Sequence, residues 1–320
     1  MKILVIQNRM GIGDTVMFLP YIEAISEKFN TPVNLLVRQN SKAEQYLEES
    51  RYIDEILTLD RKSESKGRHD GFFGALNLIK DLKNKKFDKI FIFNSSLRYN
   101  LIARLAKIKE IYQYPLFKKN KQHITKTARN FIENSINVKK FNNPKIYVRT
   151  ESVKKVVSKF KIDKQETNIL LGIGGSGPTK RIPAITFIKL MESIVKIKKC
   201  HFFLATGKND QEQKILNEIL DSKLGILCSP LDSMNIRDTL PIIKNCDAAV
   251  CNDTSFSHLS AALGINTITL MADTPLIYGS YSSMMHPILP DGLIDVTHNT
   301  LGKDKINPEK IFHKLIEILN

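Results

Sequence analysis

The feature that most narrows the fold is a repeated alternation. Short runs rich in Ile, Leu, Val and Phe are each followed by a longer stretch with apolar residues at helical spacing, the pattern of parallel α/β units. In the first half the expected strands are 2–7 (KILVIQ), 33–38 (VNLLVR), 55–59, 89–94 (KIFIFN) and 111–114. Helices are expected at 15–29, 43–49, 75–84, 98–106 and 122–136, with a polar, glycine-containing loop at 61–74 and a basic loop at 118–121. The chain turns extended over 144–150, which sets the expected boundary between domains 1–150 and 151–320. A second series then begins, with strands at 168–172, 201–205, 225–228, 248–251 and 267–270 and helices at 185–197, 210–220, 236–243 and 257–263. A last amphipathic helix, 308–319, closes the chain and is free to pack back on the first domain. Two successive α/β domains of similar size imply a cleft in which a substrate is held by both.

Composition is that of an ordinary globular protein, 42% hydrophobic and 25% charged over 320 residues, but the net charge is +15. Residues 1–160 carry 31 Lys/Arg against 16 Asp/Glu, whereas residues 161–320 carry 17 of each. Codon bias toward Lys, Ile and Asn would load both halves alike, so the asymmetry points to an anionic partner for the first half. The four cysteines form no CxxC pair and have no histidine at a zinc-like spacing; they read as reduced packing residues. The N-terminal apolar stretch is too short for a signal-peptide core and no run of about 18 apolar residues occurs, which makes a cytoplasmic protein the expectation.

Three loops carry the candidate chemistry. The first, residues 8–15 (NRMGIGDT), follows the first strand and opens a helix. Val16 stands where a dinucleotide fingerprint wants its third glycine, which weakens a dehydrogenase reading. Asp14 is either a helix N-cap or a carboxylate placed at the carboxyl end of a strand to act as general base. The second loop, 172–181 (GIGGSGPTKR), is not a P-loop, because Arg and not Ser or Thr follows the lysine. Its backbone N–H groups at Gly174 and Gly175, with Thr179, Lys180 and Arg181, suit a diphosphate; a flexible turn with solvated cations is the alternative. The third, 251–258 (CNDTSFSH), brings Asp253, Thr254, Ser255 and His258 to the start of an apolar helix, where unpaired N–H groups and the helix dipole favour an anion. Asp253 as a mere cap and His258 as a structural histidine are the bland readings.

With these loops in place, the chain resembles the bacterial lipopolysaccharide heptosyltransferases of glycosyltransferase family 9. GDTVMFLPYIEAI at 13–25 looks like the family's GD-hydrophobic-P opening, and YIDEILTLD at 52–60 and FDKIFIFNSSLRYNLIARLA at 87–106 are similar to the segments that follow it. GSGPTKRIP at 175–183 resembles its G-x-x-x-x-KRWP loop, and NDTSFSHLSAALG at 252–264 its D-[ST]-G-x-x-H-x-x-A-A-x-G signature. The resemblance implies a GT-B fold, two Rossmann-like α/β/α domains facing each other across a cleft. It also implies a metal-independent, inverting transfer of a sugar from a nucleoside diphosphate, ADP-heptose being the family's usual donor, to a phosphorylated glycolipid. It places the catalytic base on Asp14 and the diphosphate contacts on Thr179, Lys180, Thr254 and Ser255. Asp253 falls at the donor sugar, His258 near the diphosphate, and Asp210 where a ribose-contacting Glu is usual. Arg9, Gly13 and Arg98 are implied on the acceptor side. Ser255, Ile182 and Ala272 depart from the family's Gly, Trp and Gly. No cofactor or metal is expected, and the enzyme should work at the inner face of an anionic membrane. A nucleotide-sugar epimerase or hydrolase on the same fold is the competing reading. A nucleic-acid-binding protein is a more distant one, disfavoured because no helix-turn-helix, RRM or KH pattern is visible.

Overall fold

A computed structural model of the chain describes residues 1–61, 67–116, 124–175 and 177–320. The basic loop expected at 118–121, and Ser176 in the second glycine loop, lie outside the described residues. Contacts divide the chain into two compact units, Met1–Pro144 and Lys145–Asn320, so the break falls within the extended stretch 144–150.

In the first unit the strands are β1 (Ile3–Gln7), β2 (Val33–Arg38), β3 (Ile53–Leu59), β4 (Lys89–Ile92) and β5 (Glu110–Gln113), and the helices α1 (Ile12–Phe29), α2 (Gly71–Lys85), α3 (Leu97–Leu105) and α4 (Ile124–Ile136). All pairings are parallel, in the order β3-β2-β1-β4-β5. One face of the sheet buries Leu4, Ile6 and Ile90 under Leu78 and Leu82 of α2 and Tyr99 and Ile102 of α3. Elsewhere in the unit, Phe18 and Tyr21 of α1 meet Phe93, and Phe93 meets Tyr114 and Phe131, in edge-on or tilted contacts with centroids 5.0–6.3 Å apart.

The second unit opens with α5 (Thr150–Lys159), an element the sequence reading did not single out, and then alternates regularly. Its strands are β6 (Thr167–Gly172), β7 (Cys200–Ala205), β8 (Cys228–Pro230), β9 (Ala248–Asn252), β10 (Thr267–Leu270) and β11 (Met285–Ile288). Its later helices are α6 (Ala184–Ile194), α7 (Asp210–Leu220), α8 (Ile236–Ile243), α9 (Ser255–Ala262) and α10 (Pro308–Leu319). The sheet is again parallel, ordered β11-β10-β9-β6-β7-β8. Ile311 and Leu315 of α10 are fully buried in this unit's own core beside Phe187 and Leu190 of α6, so the apolar face of the last helix is taken up at home.

Three local expectations are corrected. The helix expected at 43–49 is instead a pair of single 3-10 turns, Gln39–Ser41 and Ala43–Gln45, separated by Lys42 at φ +49°, which no α-helix accommodates. The strand expected at 225–228 begins only at Cys228, after a 3-10 turn at Gly225–Leu227. α2 starts at Gly71, four residues before the expected 75, because the preceding turn is anchored by Arg98, which donates to the carbonyls of His69 and Gly71 at 2.8 and 2.7 Å.

Candidate active site

In an open parallel sheet, ligands bind at the carboxyl ends of the strands where the strand order reverses direction. That point lies between β1 and β4 in the first unit and between β6 and β9 in the second. The loops leaving those four strands are the ones that carry Asp14, Asn94, the second glycine loop and Asp253.

In the first unit, the side chain of Gln7 is fully buried at the end of β1, and its Oε1 accepts the Arg9 N–H at 2.8 Å, which turns the chain out of the strand. Gly11 then sits at φ +105°, a backbone conformation that disfavours side chains, and becomes the N-cap of α1 with no side-chain capping bond. Asp14 is therefore not a cap. It stands in the first turn of the helix, and Arg9 Nε donates to its Oδ1 at 2.9 Å, with the two side chains 45% and 18% exposed. Gly13 occupies the turn between them and is half-buried.

Amides join the neighbouring loops. Asn94 Nδ2 donates to Asn8 Oδ1 at 3.1 Å, Asn8 Nδ2 to the Tyr99 hydroxyl at 3.3 Å, and Gln113 Nε2 to the carbonyls of Asn94 and Ser96 at 2.8 and 2.9 Å. Arg98 is not brought to Asp14 by any described bond; two of its guanidinium nitrogens hold the turn before α2.

In the second unit the glycine loop is held from three sides. A Cβ at Gly172 would lie 2.6 Å from Cys251 Sγ, so only glycine lets β6 run this close to β9. The buried Asn252 donates through Nδ2 to the carbonyls of Ile173 and Gly174, at 2.8 and 3.0 Å. Glu212, 7% exposed, accepts the Gly175 N–H on Oε1 at 2.6 Å. Asn209 caps α7 by accepting the Glu212 N–H at 3.1 Å on Oδ1, and its Nδ2 donates to the Glu212 carboxylate, which fixes that side chain in place.

Asp210, in contrast, is exposed on the first turn of α7, and no described bond joins it to the glycine loop. The carboxylate that reaches the loop is two residues further on. The Asn209-x-x-Glu212 spacing was the signal that could have found it. Arg181 spans the same region, donating through Nε to the Gly175 carbonyl at 2.9 Å and through its guanidinium to Gln211.

Lys180 reaches across to the third loop, where its Nζ lies 2.9 Å from Asp253 Oδ2; the side chains are 23% and 7% exposed. His258 Nε2 stands 3.9 Å from the other oxygen of the same carboxylate. Burial alone would push the Asp253 carboxyl up, but the Lys180 ammonium and the His258 imidazole outweigh it and hold it below the usual carboxylate range.

Thr254, not Asp253, caps α9, its side-chain oxygen accepting the Phe256 N–H at 3.3 Å. His258 Nδ1 lies 2.7 Å from the Tyr281 hydroxyl, the two rings nearly parallel at 5.6 Å. Burial pushes the Tyr281 phenol well above its ordinary value. The phenol that keeps its proton can donate to Nδ1 or accept from it, and either arrangement leaves Nε2 facing Asp253.

Asp273, absent from the sequence reading, is 7% exposed and accepts the Leu301 N–H at 2.8 Å. It opposes burial with that bond, with the Thr179 hydroxyl and with the N–H groups of Asn299 and Thr300, so its carboxyl too lies below the ordinary range. Thr179 is thereby tied to the loop at 299–301, where Asn299 and Leu301 both adopt positive φ.

Gly174→Ala tests how tightly this cradle is built. The added Cβ would fall 2.5 Å from Glu212 Oε1 and 3.2 Å from Thr206 Cα. A cost of about 1–3 kcal/mol is expected from overpacking, read as a lower urea midpoint at unchanged slope. Glu212→Gln, which keeps the volume and an acceptor, should cost less than half as much.

Glycosyltransferase family 9 (heptosyltransferase) matches residues 75–282, most of the chain. The chain belongs to glycosyltransferase family 9. It is therefore a heptosyltransferase-family glycosyltransferase, and the epimerase reading falls away. A lipooligosaccharide heptosyltransferase 2 of Campylobacter jejuni is 27% identical over 282 residues, covering 82% of this chain and 78% of that protein. The family 9 glycosyltransferase of Veillonella parvula superposes with a TM-score of 0.80 at 16% identity, over 99% of this chain and 97% of that one. The E. coli ADP-heptose lps heptosyltransferase II gives 0.76 at 16% identity, over 100% and 98%. At such identities these structures support the shared double α/β fold, and the family assignment rests on the sequence match. Among the described residues no helix is long and apolar enough to cross a membrane, and no group of three or more His, Cys, Asp or Glu is placed to hold a metal ion.

Proposed function

We propose that this family 9 enzyme moves a heptose from ADP-heptose to a phosphorylated glycolipid of the lipopolysaccharide core or a related envelope glycan, with inversion and without a metal. The observation that carries the reading is the Lys180–Asp253 pair at the strand-order reversal of the second unit, beside a glycine loop and the N-terminus of α9. The names of the C. jejuni relative and the E. coli structure support heptose and ADP as the first substrates to try.

In this mechanism the acceptor hydroxyl attacks the anomeric carbon as its proton passes to Asp14. Arg9 holds one carboxylate oxygen, leaving the other to take that proton. The bond from the anomeric carbon to the diphosphate breaks in the same step, and the electron pair leaves on ADP. A single displacement inverts the anomeric centre. The developing charge on the diphosphate is met by Lys180, the Thr179 hydroxyl and the N–H groups at Thr254 and Ser255, groups already in place before the reaction. Arg181 and Gly174 complete the donor cradle, the Gly175 N–H being turned inward to Glu212 rather than toward a diphosphate, and Arg9 and Gly13 line the acceptor side.

A thermal-stabilisation screen against ADP-, GDP-, UDP- and dTDP-sugars tests the donor. ADP-heptose at about a hundredfold over its Kd should add about 2.7 kcal/mol of apparent stability, and the others much less. Stabilisation by a UDP-sugar alone would overturn the donor assignment, and stabilisation by none would overturn the site. Turnover of a nucleotide-sugar without acceptor would overturn the transfer step.

A further inference from the structure

The outer face of the first unit's α2–α3 layer is built the wrong way round for water. α3 buries Tyr99, Ile102 and Ala103, yet its opposite face presents Leu97, Leu101 and Leu105 at i, i+4, i+8 spacing, 40–60% exposed. α2 buries Leu78 and Leu82 and presents Phe72, Phe73 and Leu76, the two phenylalanines 74% and 78% exposed. A helix apolar on both faces is normally covered on both. The two helices pack on each other, and their inner residues share one core layer, so the outer stripes form a single surface. Six of the fifteen exposed large apolar side chains among the described residues lie on these two helices, which marks the patch out from the scattered exposure normal for a soluble surface.

Charge decides what covers it. Residues 67–109, which contain both helices, hold ten Lys/Arg and three Asp/Glu, so this segment carries much of the basic excess of the first unit. On α2 the stripe begun by Phe72 and Leu76 continues at helical spacing into the exposed Lys80 and Lys83. On α3, Arg104 stands beside Leu105, with Lys107 following. Among the described residues Lys80, Lys83 and Lys107 form no ion pair. A second copy docking through this face would set like charge against like charge. An anionic bilayer meets both features, with aromatic and leucine side chains entering the headgroup boundary and lysines on the lipid phosphates.

We propose that the α2–α3 face, led by Phe72 and Phe73 and rimmed by Lys80, Lys83, Arg104 and Lys107, docks the enzyme on an anionic phospholipid surface. The inference deepens the reading of a lipid-borne acceptor and rests on it only for its biological purpose. Its test is independent, because the vesicles used contain neither donor nor acceptor.

The full chain is sedimented with extruded vesicles of phosphatidylcholine alone or with roughly one-third phosphatidylglycerol. Binding is expected to the anionic vesicles, falling with salt, and at least about tenfold weaker to the neutral ones. Phe72→Ser/Phe73→Ser and Lys80→Glu/Lys83→Glu should each weaken it by about tenfold or more, with melting temperature and nucleotide stabilisation kept as checks on folding. Equal binding to both vesicle types, or variants that bind like the parent, would overturn the proposal. So would a concentration-dependent dimer abolished by the phenylalanine changes, which would assign the face to a second copy. Loss of transfer in a donor assay with intact vesicle binding would count against the proposed reaction and leave the surface standing.

Discussion

Asp14→Asn should lower kcat by about a thousandfold, within the range of general-base contributions, while thermal stabilisation by the donor nucleotide stays unchanged. Asparagine keeps the shape of the side chain, and its amide oxygen still accepts from Arg9 Nε, so the turn around Gly11 is preserved. It cannot take a proton from an acceptor hydroxyl. The ion pair it replaces is partly exposed and should contribute less than about 1 kcal/mol, so folding is not the confounding variable. The readouts are single-turnover transfer and the nucleotide-induced shift in melting temperature. Undiminished transfer would remove Asp14 from the chemistry. Loss of both transfer and nucleotide stabilisation would place Asp14 in donor binding, contrary to its position in the first unit.

Lys180→Ala should act on the other half of the reaction and on stability together. Donor affinity is expected to fall roughly ten- to a hundredfold, since a charge-assisted contact to the diphosphate is lost. Asp253, 7% exposed in the parent, is meanwhile left without its ammonium partner, which should cost about 2 kcal/mol at neutral pH; the partial exposure of Lys180 keeps the figure below that for a fully buried pair.

The pH dependence separates this cause from a simple loss of packing. In the parent protein Asp253 titrates below the ordinary carboxylate range, so the stability it contributes is present above its unfolded value of about 3.9 and is lost as pH falls through its depressed folded value. Without Lys180 the effect of burial moves its pKa upward. Protonation then relieves the unpaired charge, and the deficit in unfolding free energy should shrink as pH is lowered from about 7 to about 5. Urea unfolding across that range measures it. A deficit independent of pH would mean that Asp253 is not the group left behind. Lys180→Arg should restore most of the stability and less of the affinity, because the guanidinium keeps the charge but changes its reach.

The buried parallel strands were legible because each is a near-continuous apolar run; Val33–Arg38, Thr267–Leu270 and the helices Asp210–Leu220, Ile236–Ile243 and Pro308–Leu319 fall where periodicity and caps put them. Elements with little to bury were not. α5 has no buried residue, and β8 and β11 are short edge strands of three and four residues, each containing a proline. The 3-10 turns around Lys42 depend on a single left-handed residue that leaves no mark in hydrophobic spacing.

Within the site, the sequence by itself determined the loop chemistry: two glycine turns, a lysine, a hydroxyl-rich helix start and the carboxylates Asp14 and Asp253, all on one chain of alternating strands and helices. Whether a carboxylate caps a helix or faces an ion is a question of partners far apart in sequence, and only the tertiary structure answered it. Gly11 and Thr254 occupy the caps, freeing Asp14 for Arg9 and Asp253 for Lys180, 73 residues away. Glu212 reaches the glycine loop and Asp210 does not, because helical geometry turns the third residue of α7, not the first, toward Gly175. The basic excess was countable in the sequence. That two particular helices carry an outward apolar face, with Lys80, Lys83, Arg104 and Lys107 exposed on or next to them, followed from which sides of α2 and α3 the sheet had already buried.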